Sequence, residues 1–101
     1  MTQTAYVSLI EIRLDLRHSA NLKEKRKVVS SLKAQIRQRF VAAVAEIDAQ
    51  DDRRRAVLLC ALVGGTEVRE RSAELERFVE GRSPDGCSFE RNLLTLADVR
   101  D

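Results

Sequence analysis

Three features of the sequence predict an α+β fold, with one four-stranded antiparallel sheet and two helices on one of its faces. The run Tyr6–Leu16 alternates apolar and polar residues. Leu22–Phe40 carries an apolar stripe at helical spacing. Arg55–Val63 is apolar on both of the faces that a strand presents.

In the first strand Ile10, Ile12, Leu14 and Leu16 alternate with Glu11, Arg13 and Asp15, the period of a strand with one buried face. Asn21, followed three positions on by Glu24, is an approximate capping box that opens the first helix, whose inner stripe is Leu22, Val29, Leu32, Ile36 and Phe40. The β-branched content of Val41–Ile47 predicts a short second strand, and the polar stretch DAQDDR turns the chain back into the third as a hairpin. Within the third strand Ala56, Leu58, Cys60 and Leu62 share one face and Val57, Leu59, Ala61 and Val63 the other, so it belongs at the centre of the sheet. Gly64 and Gly65 stop it. Thr66 is expected to cap a second helix from Glu67 to about Glu80, with Val68, Leu75 and Val79 facing inward. The GRSPDG cluster is a turn, and Cys87 to about Leu96 is the fourth strand through Phe89, Leu93, Leu94 and Leu96.

The resulting order, β-α-β-β-α-β, is that of the split βαβ or ferredoxin-like topology, in which the first and third strands are central and both helices cover one face. A chain of 101 residues, 44% hydrophobic, is expected to form one domain over residues 1–101 and to bury roughly two-thirds of its unfolded surface. Cys60 and Cys87 are too distant in sequence for a redox or zinc pair and too few for a disulfide framework, so both read as small apolar residues. The N-terminal run AYVSLIEIRLDL is broken by Glu11, Arg13 and Asp15. It therefore lacks the apolar core of a signal peptide and the length of a membrane span, and a soluble cytoplasmic protein with no membrane contact is expected.

Charge is distributed unevenly. Leu22–Phe40 holds seven bases (Lys23, Lys25, Arg26, Lys27, Lys33, Arg37 and Arg39) against Glu24 alone, a local charge of +6, which under the total of +2 leaves the rest of the chain at −4. At ~100° per residue, Lys23, Arg26, Lys27, Lys33 and Arg37 fall on a flank beside the apolar stripe rather than all around the helix. A helix charged only for solubility mixes signs in i,i+4 pairs, whereas here Lys23 and Lys27, and Lys33 and Arg37, repel. Those five residues are the candidate nucleic-acid-binding set. Phosphate backbone is the anionic partner they suit, set against the plainer reading of a solvated helix face.

Two stretches carry a resemblance. LKEKRKVVSSLK after the first strand, opening on L-K-E-K-R at Leu22–Arg26, and VAEIDAQD at Val44–Asp51 resemble the YlxP-like bacterial proteins, a family of unknown function; the likeness covers nearly the whole chain. It implies a ferredoxin-like domain, often encoded among genes for translation initiation and ribosome maturation, with no assigned activity. The chain departs from the pattern at SAN, which lengthens the approach to the first helix, and at Asp52 and Arg53, where many members carry bulky apolar residues.

Base stacking is not expected of the third strand, which reads AVLLCALV without an aromatic, so phosphate and shape contacts on structured RNA or the ribosome are the expected mode. Tyr6, Phe40, Phe78 and Phe89 read as core or sheet-packing residues. No enzyme is expected: His18 beside Ser19 is a sequence neighbour and not a nucleophile–base pair, and Gly64-Gly65-Thr66 lacks a lysine at phosphate-loop spacing. Glu46, Asp48, Asp51 and Asp52 lack the glycine and terminal glutamate of a calcium loop, so no metal, cofactor or small-molecule substrate is expected. The sheet face away from the helices should carry Val7, Leu9, Val57, Leu59 and Ala61, a patch suited to pairing with another copy. The sequence thus supports an RNA- or ribosome-associated accessory protein, with a homo-oligomeric interaction module as the alternative.

Overall fold

The computed structural model describes residues 4–100, which form β1 (Tyr6–Asp15), α1 (Leu22–Phe40), β2 (Ala43–Asp48), β3 (Arg55–Gly64), α2 (Val68–Glu80), β4 (Cys87–Thr95) and α3 (Leu96–Arg100). The strands make one antiparallel sheet in the order β2-β3-β1-β4, the split βαβ arrangement expected. Alternation in β1 and β3 sends Ile10, Ile12 and Leu14, and Ala56, Leu58, Cys60 and Leu62, into the core beneath the helices. There they meet Val29, Leu32, Ile36 and Phe40 of α1 and Val68, Leu75 and Val79 of α2. Burial pushes the Cys60 thiol up to about 12, so this cysteine stays a neutral packing group.

Polar groups fix how the layers dock. Ser8 of β1 and Ser72 of α2, both buried, lie 2.7 Å apart through their hydroxyls, and the Ser72 hydroxyl also reaches the Val68 carbonyl at 2.8 Å. With one proton on each oxygen, Ser72 donates to Val68 and accepts from Ser8, so neither hydroxyl is left unpaired inside the core. Arg71 of α2 donates to the carbonyls of Phe40, at 2.6 Å, and Val63, at 3.2 Å, which satisfies an orphan oxygen at the C-terminal end of α1.

Local details differ from the sequence reading, beyond one-residue shifts at the ends of β1 and β3. Residue Val41 is not in β2; it closes α1 in the left-handed region, φ 52° and ψ 46°, and the strand begins two residues later. Ile47 is an extra residue in β2: Glu46 opposes Leu58 and Asp48 opposes Val57, a bulge that turns Asp48 to the open face. Thr66 does not cap α2. Glu67 holds the cap position in helical backbone, and its carboxylate folds back to accept the Gly65 N–H at 3.1 Å. A Cβ on residue 64 would press on that flexible carboxylate and lie 2.9 Å from Cγ2 of the buried Val68, so the strand exit is tight against any larger residue. Finally, β4 stops at Thr95 because Thr95 and Asp98 cap one another, Thr95 N–H to Asp98 Oδ2 at 2.8 Å and Asp98 N–H to Thr95 Oγ1 at 3.1 Å, opening the short α3.

Candidate nucleic-acid interface

Helix α1 is started by its own sequence. Asn21 sits in extended backbone and its side chain accepts the Glu24 N–H at 2.9 Å, while the Glu24 carboxylate accepts from Ala20 N–H at 3.3 Å, a slightly displaced capping box. From there the five candidate residues span an arc of about 120° on the helix. Lys23, Arg26, Lys27 and Arg37 are exposed and Lys33 is half-buried. The arc faces the β2 side, since the Arg37 guanidinium donates to the Val44 carbonyl of β2 at 2.9 Å. On the opposite flank Arg39 lies over the Phe78 ring of α2 at 4.9 Å. The basic flank is therefore on the outer rim of the molecule, above an edge strand.

Among the described residues the side chains of Lys23, Arg26, Lys27 and Lys33 make no ion pair. Other arginines on the surface do: Arg13 with Glu11 and Arg91 with Glu76, each at 2.8 Å, and Arg55 with Asp52 at 3.1 Å. Arg37 is the exception within the set, because part of its donor capacity is already committed to β2.

Sequence reasoning missed Lys25. It counted among the seven bases, yet it lies in the apolar stripe, four residues before Val29 and seven before Leu32, and only 1% of it is exposed. Its ammonium donates to the carbonyls of Ala49 and, at 3.3 Å, Gln50, and stands 3.2 Å from Glu46 Oε2. That oxygen makes no directional hydrogen bond, so the attraction to Lys25 is chiefly Coulombic. Lys25 thus clamps the β2–β3 turn onto α1, including Ala49 in its left-handed conformation, φ 61°. The i+4, i+7 spacing to Val29 and Leu32 is the signal that separates it from its neighbours. Leu22, assigned to the stripe, is only half-buried.

The acidic turn is self-satisfied in part: Asp52 accepts the Arg54 N–H at 2.9 Å and pairs with Arg55, and the Arg54 N–H is the main cause holding its carboxyl below the ordinary value. Among the described residues no group of three His, Cys, Asp or Glu side chains is placed to hold a metal ion. His18 Nδ1 lies 2.6 Å from Asp85 Oδ1, tying the β1–α1 loop to the α2–β4 loop at the mouth of a cleft of about 200 Å³. Ser19 turns its hydroxyl to the Asn21 carbonyl at 3.3 Å instead of toward the imidazole. The Phe40 and Phe78 rings meet edge-on, 5.5 Å between centroids, and Tyr6, Phe78 and Phe89 pack against the core.

The register puts Val7 and Leu9 of β1 and Val57, Leu59, Ala61 and Val63 of β3 on the sheet face away from the helices. Among them Val57 is already 8% exposed, flanked in register by Arg13 and Asp48, whereas Val63 is 66% exposed. That face carries no aromatic residue in the described sheet, and no described helix is long and apolar enough to cross a membrane.

In comparisons with known proteins, no curated protein matches the chain. Among solved structures it is similar to a de novo designed protein, Foldit4, at 11% identity and a TM-score of 0.54, over 89% of this chain and 96% of that one, a likeness of fold alone. The profile of a family described as "Protein of unknown function (DUF503)" matches residues 7–87, from the first strand to the start of the fourth, and on that match the chain belongs to the DUF503 family.

Proposed function

We propose that this protein is a non-enzymatic accessory factor that binds structured RNA, such as folded ribosomal RNA, through the exposed bases of α1. The observation that carries the reading is the single-sign flank of Lys23, Arg26, Lys27 and Lys33 on the outer rim, which makes no ion pair among the described residues. Cations without protein partners are available to phosphate oxygens, and binding there releases counterions condensed on the nucleic acid. The resemblance of L-K-E-K-R and V-A-E-I-D-A-Q-D to the YlxP-like proteins supports the same reading. The contacts would position the protein by backbone and shape without reading bases, since no aromatic platform is present on the open sheet face.

The test replaces Lys23, Arg26 and Lys27 together by Gln, which keeps helix propensity and removes no described contact. Arg37 is left in place because its loss would also free the Val44 carbonyl. Titration of structured RNA at several salt concentrations should show weaker binding and a slope of log K against log salt smaller by about 2 to 3, at roughly 0.7 to 0.9 per lost contact. Equal affinity and equal slope for variant and wild type would mean that the flank is only solvated, and an interaction module without a nucleic-acid role would replace this reading.

A further inference from the structure

We infer that the open face of the sheet is the seat of a second copy of this chain, packed sheet to sheet. At one end of the face Val7, Leu9, Leu59, Ala61, Val63 and Leu94 form a mainly apolar half, Leu94 joining them because it opposes Val7 in the β1–β4 register, with Asn92 opposite Leu9 as the polar residue on the β4 edge. The patch continues beyond the strands: Leu96 shares a depression with Val7 and Val63. Helix α3 buries no residue at all, and its Leu96 and Val99 are 43% and 59% exposed. A helix with its apolar residues in water is what an unfilled interface leaves behind.

Charge selects the occupant. The other half of the same face carries both signs, with Glu11, Arg13, Arg55 and Glu90 on neighbouring strands. Arg13 is paired with Glu11 and Arg55 with Asp52 within the chain, so this half is close to balanced: it does not repel its own two-fold mate, and it offers a polyanion no advantage. The α1 flank is the reverse case, because its single sign repels a second copy. Area agrees. With ~4.8 Å between strands and ~3.3 Å rise per residue, four strands around ten-residue central ones offer roughly 600 Å². Two such faces bury about 1,200 Å², the lower bound of a stable interface, which fits a dimer of micromolar affinity. Since the helices lie on the far side of each sheet, such a dimer turns its two basic flanks outward. The inference stands whether or not those flanks bind RNA.

Sedimentation velocity of the full chain from about 1 to 100 μM, in high salt so that phosphate-type contacts play no part, reads it directly. The expected result is a dimer that forms within this range, with Leu59→Glu and Val63→Glu each weakening it at least tenfold while the melting curve of the monomer is retained. Leu58 faces the core and is unsuitable. Val63 is exposed enough for the second variant to fold even if Leu59→Glu does not. A monomer at every concentration would overturn the inference, and so would a dimer that Val63→Glu leaves intact.

Discussion

Among single residues, Lys25 has the largest structural consequence, because an ammonium taken out of water must be repaid by every oxygen around it. The carbonyls of Ala49 and Gln50 and the Glu46 carboxylate do this together, and each belongs to β2 or its turn. Lys25→Met should therefore cost about 2–4 kcal/mol in urea unfolding, since it leaves a half-buried carboxylate and two carbonyls without a cation. Lys23→Met or Lys27→Met, both exposed, should cost less than about 0.5 kcal/mol. Adding Glu46→Gln to Lys25→Met should restore part of the loss. Equal, small effects for all three lysines would remove the clamp from the account. Cysteine chemistry is the contrary case: burial raises both thiols above their ordinary value, the half-buried Cys87 included, so neither is prepared as a thiolate.

Helix α1, considered as an element, is well started and poorly stopped. Its N-terminus has a side-chain cap, and Glu24 stands in the first turn where the helix dipole favours a carboxylate. Its C-terminus is a β-branched residue in left-handed backbone, Val41, 84% exposed and so contributing little packing in return. Glycine at that position would remove the clash of Cβ with the following carbonyl, worth roughly 1–2 kcal/mol, against a cost of about 0.5–1 kcal/mol in unfolded-chain entropy. Val41→Gly should raise stability by about 0.5–1 kcal/mol, seen as a melting temperature higher by a few degrees. A fall would mean that Val41 holds the turn through contacts beyond its own backbone. At the same end Arg71 of α2 supplies what the helix sequence lacks, taking the Phe40 carbonyl.

For the whole molecule, carboxylates held by local turn and cap hydrogen bonds contribute to stability against acid. Asp15 is held below its ordinary value chiefly by hydrogen bonding from the Arg17 side chain, and Asp52 by the Arg54 N–H. Glu67 is lowered by N–H groups of Glu67 itself and Gly65, and Asp98 by that of Thr95. A depressed folded-state pKa contributes stability that is present above the unfolded value and lost as pH falls through the folded one. With ordinary values of 3.8 and 4.5 for the two acid types, that loss is confined to pH below these values. The Cys60 thiol acts in the opposite sense: its contribution is complete below the ordinary 9.0 and lost as pH climbs toward about 12. Thermal melts should accordingly give a plateau from about pH 5 to about pH 8.5, with decline on both sides. A steady fall beginning at pH 7 on acidification would contradict it.

The sequence by itself determined the order of elements from β1 to β4, though not the short α3, because periods of two and of 3.6 residues are local properties: Ile10, Ile12 and Leu14 alternate and Val29, Leu32 and Ile36 recur whatever surrounds them. It also pointed to β3 as a central strand through the apolar run Ala56–Val63, while the central place of β1, which alternates, followed from the β-α-β-β-α-β order. The basic flank was legible for the same reason, being set by spacing along one helix. What that spacing could not reveal is which base finds oxygens to satisfy it, because those oxygens come from another strand. Lys25 and its neighbours on the flank are the same kind of residue until the β2–β3 turn folds over one of them. The pairing of His18 with Asp85 and the capture of the Phe40 carbonyl by Arg71 likewise join residues far apart in sequence. Hydrogen bonds and ion pairs of this kind depend on distances of a few ångströms that only the packed sheet and helices establish.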